Sequence, residues 1–112
     1  MNAAGRYTYE VAFSPEDEAY VSRVLEWPSL AAHGGTAEVA LAELRSVVAG
    51  VLEELARAGE SAPVPLAEQR CSGHFALRMP PELHRALARE AQRQAVSLNQ
   101  LIATRLARSL SR

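Results

Sequence analysis

The stretch "GHFALRMPPEL", residues 73–83, decides how this chain folds. From His74 to Met79 its side chains alternate, the period-two pattern of a strand. Pro80 and Pro81 then stop it. Pro81 suits the first turn of a helix, where its missing N–H would have no partner in any case. A strand this short has no hairpin mate in its own segment. Its N–H and C=O groups nevertheless need partners.

The chain beyond Pro80 reads as two helices. Leu83, Leu87 and Ala91 form the inner face of the first. "AVS", residues 95–97, breaks that pattern. Ser97 with Gln100 makes an S-x-x-Q capping box that opens the second helix. That helix carries Leu98, Leu101, Ile102, Leu106 and Leu110 on one stripe. About forty residues of strand, helix and helix bury their own stripes poorly. Two copies solve both problems: their strands pair antiparallel across a two-fold axis, and four helices pack beneath. Phe75, Leu77 and Met79 then face that core, while His74, Ala76 and Arg78 face outward twice over.

A two-stranded ribbon fits the major groove of B-DNA. Arg78 suits a bidentate contact to guanine, His74 can donate or accept, and Ala76 offers a small apolar contact. The N–H groups of Leu98 and Asn99, with the Ser97 hydroxyl, make an anion site suited to a DNA phosphate. Arg85, Arg89 and Arg93 stand at i, i+4 and i+8. They read as a wet helix face that adds to the basic field. Strand H-F-A-L-R-M-P, then P-E-L-H-R-A-L, then V-S-L-N-Q-L-I together resemble the ribbon-helix-helix repressors of the Arc/MetJ type. The resemblance implies a dimer that reads double-stranded operator DNA.

The charge distribution bears on that reading. The chain has 112 residues and a net charge of -1. Residues 1–69 hold four Arg against eleven acidic residues, a net of -7, and residues 70–112 hold eight Arg against Glu82 and Glu90, a net of +6. An acidic front and a basic back suggest two modules with different partners, the back one a nucleic-acid candidate. Mutual attraction of the halves, or of neighbouring subunits, is the plainer alternative. No run approaches the ~18 apolar residues of a membrane span. No apolar segment near the start reads as a secretory signal, so the expected location is cytoplasmic. Cys71 is the one cysteine, and His33, His74 and His84 lack ligand spacing to it, so neither a disulfide, a metal nor any cofactor is expected.

The front module opens with "YTYEVAF", a turn "SPEDE" and "AYVSRVLE", which reads as a β-hairpin. Residues 27–35 hold a short third strand and a loop. Thr36 caps a helix over residues 37–58, with Leu41, Leu44, Val48, Val51 and Leu55 along its stripe. Arg57 and Gly59 mark its end. Residues 64–67 read as a short edge strand closing the module. The domain boundaries are therefore 1–68, a linker at 69–73, and 74–112. Glu10, Glu16, Asp17 and Glu18 invite a hydrolase reading. Yet three of them sit consecutively in one turn, as solubilising charges do. The sequence shows no Ser/His/Asp spacing and no phosphate-cradling glycine loop, so no enzyme is expected.

Y-T-Y-E-V-A-F, the turn, A-Y-V-S-R-V and then W-P-S-L-A-A-H-G-G-T-A-E-V-A-L-A-E-L resemble the N-terminal domain of HicB antitoxins. The helix end A-G-E followed by A-P-V-P is similar too, whereas Ser29, Gly35 and Val39 depart from the family pattern. The resemblance implies an α+β fold: a partial RNase H-like domain without catalytic carboxylates, then a ribbon-helix-helix domain that dimerises. It implies an antitoxin of a type II toxin–antitoxin system. Such a protein neutralises a HicA-like RNA-cleaving toxin by direct binding and represses its own operon. The chain would then be a homodimer or a tetramer. Charge and aromatic content nominate Glu16, Asp17, Glu18, Tyr20 and Trp27 for the toxin contact, with Trp27 also suited to the core. The alternative is an orphan ribbon-helix-helix regulator whose front domain binds another partner or oligomerises.

Overall fold

The β-branched and aromatic residues after Tyr7 form a three-stranded antiparallel sheet. The computed structural model, which describes residues 3–111, gives the strands as β1 (Tyr9–Ser14), β2 (Ala19–Val24) and β3 (Ala31–Gly34), in the order β1-β2-β3. The register pairs Glu10 with Arg23, Ala12 with Val21 and Phe13 with Tyr20, and then Val21 with His33 and Arg23 with Ala31. The hairpin turn is held by the Asp17 N–H donating to the Ser14 hydroxyl oxygen at 3.3 Å.

One long helix, α1 (Ala37–Ala58), covers one face of this sheet. Its boundaries come from its ends. The Thr36 hydroxyl accepts from the Val39 N–H at 3.1 Å, satisfying one of the four orphan donors of the first turn. Gly59 takes the left-handed conformation, φ 70°, that ends helices cheaply only at glycine. Leu44 and Val48 are fully buried and join Ala4, Tyr7 and Val24 in one core cluster, against which Tyr9, Trp27, Leu30 and Leu52 pack. The Arg45 guanidinium lies 5.6 Å above the Tyr9 ring.

Sheet and helix approach closely near the start of α1. Ser22, fully buried on the covered face, donates its hydroxyl to the Ala40 carbonyl at 2.7 Å. Beside it, Gly34 leaves no room for a side chain, since a Cβ there would stand 2.5 Å from the Ala40 backbone nitrogen.

The return segment after α1 differs from the sequence expectation. Residues 64–67 form no strand; Leu66–Glu68 make a single 3-10 turn. Pro63 and Pro65 remove ladder donors from this stretch, and side chains of the first strand region hold it instead. The Tyr7 hydroxyl donates to the Pro63 carbonyl at 2.7 Å, and Arg6 pairs with Glu68 at 2.8 Å. The Glu26 carboxylate accepts from the Leu66 N–H at 2.9 Å and from both the N–H and the hydroxyl of Thr8. Burial opposes its charge, yet these donors outweigh burial and hold its pKa below the ordinary carboxylate value.

The chain separates into two compact units, Met1–Ser72 and Gly73–Arg112. The second is built from α2 (Pro81–Gln94) and α3 (Leu98–Leu110). Its fold class joins that of the first unit as α+β, with three strands and three α-helices among the described residues. Residues 74–80 form no strand in the single chain, because no second strand lies among the described residues of this unit to supply ladder partners.

Candidate functional site

Two proline residues and two helix ends position the chemistry of the second unit. Pro80 and Pro81 launch α2, with the Leu83 and His84 N–H groups donating to the Pro80 carbonyl. α2 ends at Ala95, a non-glycine residue at φ 56°, and the Val96 N–H closes the turn on the Ala91 carbonyl at 3.0 Å. Ser97 then caps α3, its hydroxyl oxygen accepting from the Gln100 N–H at 3.0 Å.

The two helices pack against each other, and Ala91 and Leu101 are the buried hydrophobic residues among the described residues of this unit. Leu87, Leu98 and Ile102 are half-buried, and much of the remaining apolar stripe is left open. Phe75 is 75% exposed, Leu77 56% and Leu110 85%, with Leu83 and Leu106 about half exposed. Phe75, Leu77 and Met79 line a cavity of about 620 Å³ together with Ile102 and Leu106 of α3. A packed interior has few voids larger than a water molecule. This opening is a surface that the single chain does not fill.

Of the residues nominated for DNA, Arg78, Leu98 and Asn99 line that same cavity. Ser97 stands beside it as the cap of α3. His74 and Ala76 are exposed and outside its lining. Strand alternation would place Arg78 opposite Leu77. In the single chain the pleat is not fixed by a partner strand, and Arg78 shares the apolar opening. His84 at the start of α2 lines it as well. No period in the sequence singles that residue out, because it lies beside the Leu83–Leu87 stripe rather than on it.

The basic side chains of α2 are only partly free. Glu90 pairs with Arg93 and accepts from Gln94 at 2.7 Å, and its pKa is lowered first by the Gln94 hydrogen bond and then by Arg93. Arg85 and Arg89 remain exposed on the same helix face.

In the first unit, Glu16, Asp17 and Glu18 occupy the hairpin turn and are exposed. Glu18 adopts φ 50°, and Asp17 receives the Ser14 hydroxyl at 3.1 Å and lies 3.7 Å from the His33 ring. Glu16 and Asp17 border a shallow cleft of about 730 Å³ on the sheet face opposite α1. Tyr20 is not part of that cleft. It is half-buried on the helix-covered side, edge-on to Phe13 at 5.3 Å. Trp27 packs against the core, 6.2 Å from the Tyr7 ring. Trp27 thus belongs to the packing of the core, while Tyr20 stands one residue beyond the Ser14–Ala19 pair that flanks the acidic turn. Among the described residues no cluster of three or more His, Cys, Asp and Glu side chains could hold a metal ion, and no helix is long and apolar enough to cross a membrane.

The HicB family model matches residues 58–106, less than half of the chain. The match takes in the end of α1, the return segment, residues 73–80, α2 and most of α3, and leaves residues 1–57 outside. The second unit and the segment leading into it are therefore similar to that family. No curated protein and no solved structure matches the chain.

Proposed function

We propose that this chain is a HicB-type antitoxin. It neutralises a HicA-like, RNA-cleaving toxin through its acidic first unit and represses its own operon through its basic second unit. It acts by binding rather than by catalysis, and no cofactor enters. The observation that carries the reading is the HicB family match, which falls on the unit whose apolar stripe is left uncovered. In this reading two copies pair their residues 74–79 as a ribbon and seal the cavity between them, a ribbon-helix-helix dimer. Pairing also fixes the pleat, turning His74, Ala76 and Arg78 toward base edges while Ser97, Leu98 and Asn99 hold a phosphate. The sheet and long helix of the first unit then serve as a partial RNase H-like scaffold that binds the toxin. The opposite charges of the two halves suit a basic toxin and a polyanion respectively.

A fluorescence-anisotropy titration on the gene's own upstream DNA, across a salt series, tests the DNA half. Saturable binding with a steep salt slope and preference over a scrambled duplex is expected. Equal weak binding to both duplexes would remove the repressor reading. Growth rescue on co-expression with the toxin tests the other half.

A second reading is favoured by one observation: the family match leaves residues 1–57 outside. In it the chain is an orphan ribbon-helix-helix regulator whose first unit binds another protein or self-associates. DNA binding without rescue from any HicA-like toxin distinguishes it.

A further inference from the structure

His84 lines the apolar opening of the second unit, beside Phe75, Leu77 and Met79 and across from Ile102 and Leu106 of α3. It stands about two helical turns before the buried Ala91, on the same side of α2. Its backbone is fixed by its N–H donating to the Pro80 carbonyl at 3.1 Å. In the single chain the residue is exposed, so water can solvate its ring in either charge state. The charge that shares the lining is positive: Arg78, from the segment before α2. From α3 the lining receives the amide of Asn99 and no charged group, and Arg105 and Arg108 of that helix are themselves cations. On α2, Arg85 is next in sequence, and Glu82 is two residues away and therefore on the opposite side of the helix. Glu90 is engaged by Arg93 and Gln94. Among the described residues no carboxylate lines the opening.

We propose that His84 makes the pairing of two copies sensitive to pH: the pair holds the neutral ring, and protonation of the ring drives the copies apart. This rests on the dimer reading and adds a control to it. Closing the opening takes the ring out of water. A neutral imidazole tolerates that, with the Asn99 amide on the same lining as a possible hydrogen-bond partner. A charged one loses its hydration and meets Arg78 rather than a carboxylate. The proton therefore prefers the open chain. Association is full above the range in which histidine ordinarily titrates and falls as pH drops through it. An imidazole ordinarily takes up its proton near pH ~6.5, so excluding it weakens association roughly tenfold per ring at about pH 5.5. A pair contains two such rings, which makes the loss roughly 100-fold. Acid thus dismantles the ribbon and releases the DNA. Protonation of His74 acts with the opposite sign, because it adds positive charge to the ribbon. Association between copies, and not DNA affinity, is therefore the quantity that reports on His84.

The test is sedimentation of the full chain at about pH 7.5 and about pH 5.5, at one ionic strength. The chain has three histidines, so His33→Gln, His74→Gln and two variants at the third, His84→Gln and His84→Leu, account for all of them. Circular dichroism at both pH values checks that each variant folds, and His84→Gln decides if His84→Leu does not. The dissociation constant of the unmodified pair is expected to rise roughly 100-fold between the two pH values. His33→Gln and His74→Gln should show the same rise, and the His84 variants should lose it. Pairing of equal strength at both pH values would overturn the proposal and leave the dimer standing. A rise that persists in the His84 variants would overturn it as well. A chain that stays single at both pH values would remove the dimer itself, and the proposal with it.

Discussion

Glu26 does more at the level of the single residue than its place at the end of a strand suggests. One carboxylate accepts from Thr8 and from Leu66, forty residues away, and so ties the return segment to the start of the sheet. Glu26→Gln keeps the shape but removes the charge from these bonds, and a loss of about 1–3 kcal/mol in unfolding free energy is expected by denaturant titration. Because its folded pKa is lowered, its contribution is full above the ordinary carboxylate pKa. It disappears as pH falls through the lowered value, so the melting difference between the two proteins should shrink in acid. Gly34 is the second such residue. Gly34→Ala drives a methyl group into the Ala40 backbone, and overpacking of about 1–3 kcal/mol should lower the melting temperature. Neither role is legible in the sequence. Glu26 looks like one acid among eleven, and Gly34 like one of a glycine pair, because both depend on atoms that meet only after folding. Arg78 is the residue on which the DNA reading turns. Arg78→Ala should cost roughly 1–3 kcal/mol in specific operator binding, measured by anisotropy. Unchanged affinity would remove it from the contact.

Among the elements, α1 is the most legible. Its cap at Thr36, its stripe through Leu44 and Val48 and its stop at Gly59 are all local signals, and the helix runs over Ala37–Ala58 as those signals require. The hairpin is also readable from alternation, with ends shifted by one or two residues. The return segment is not. Residues 64–67 have β-like composition, but Pro63 and Pro65 deny it ladder bonds, and side chains far off in sequence decide its course. The turn between α2 and α3 shows a further limit. The break at residues 95–97 is visible, but an alanine in the left-handed region is not. L-residues other than glycine pay about 1 kcal/mol or more there. Ala95→Gly is accordingly expected to stabilise the second unit by about 0.5–1 kcal/mol, net of the added freedom of the unfolded chain, in a thermal melt of the full chain. A decrease would mean that the Ala95 methyl group makes a contact worth more than the strain.

For the whole molecule, the division at Ser72 separates a unit with a closed core from one without. Composition and charge announce two modules, but only burial shows which of them is unfinished. Phe75→Ser should leave the sheet-and-helix unit intact, with unchanged near-ultraviolet signals from Trp27. It should lower the association constant of the chain by tenfold or more in sedimentation, since burying a Phe side chain is worth about 1.5–3 kcal/mol. An unaltered association constant would place the contact between copies elsewhere. The uncovered stripe around Phe75 also has a consequence for gene dosage. On the dimer reading, the ribbon that touches DNA exists only where two chains have met. When copies are scarce and mostly single, the number of ribbons grows as the square of the number of chains. Halving the supply would then remove about three quarters of the bound repressor. A promoter governed in this way stays open until synthesis passes a threshold and then shuts over a narrow range of protein abundance.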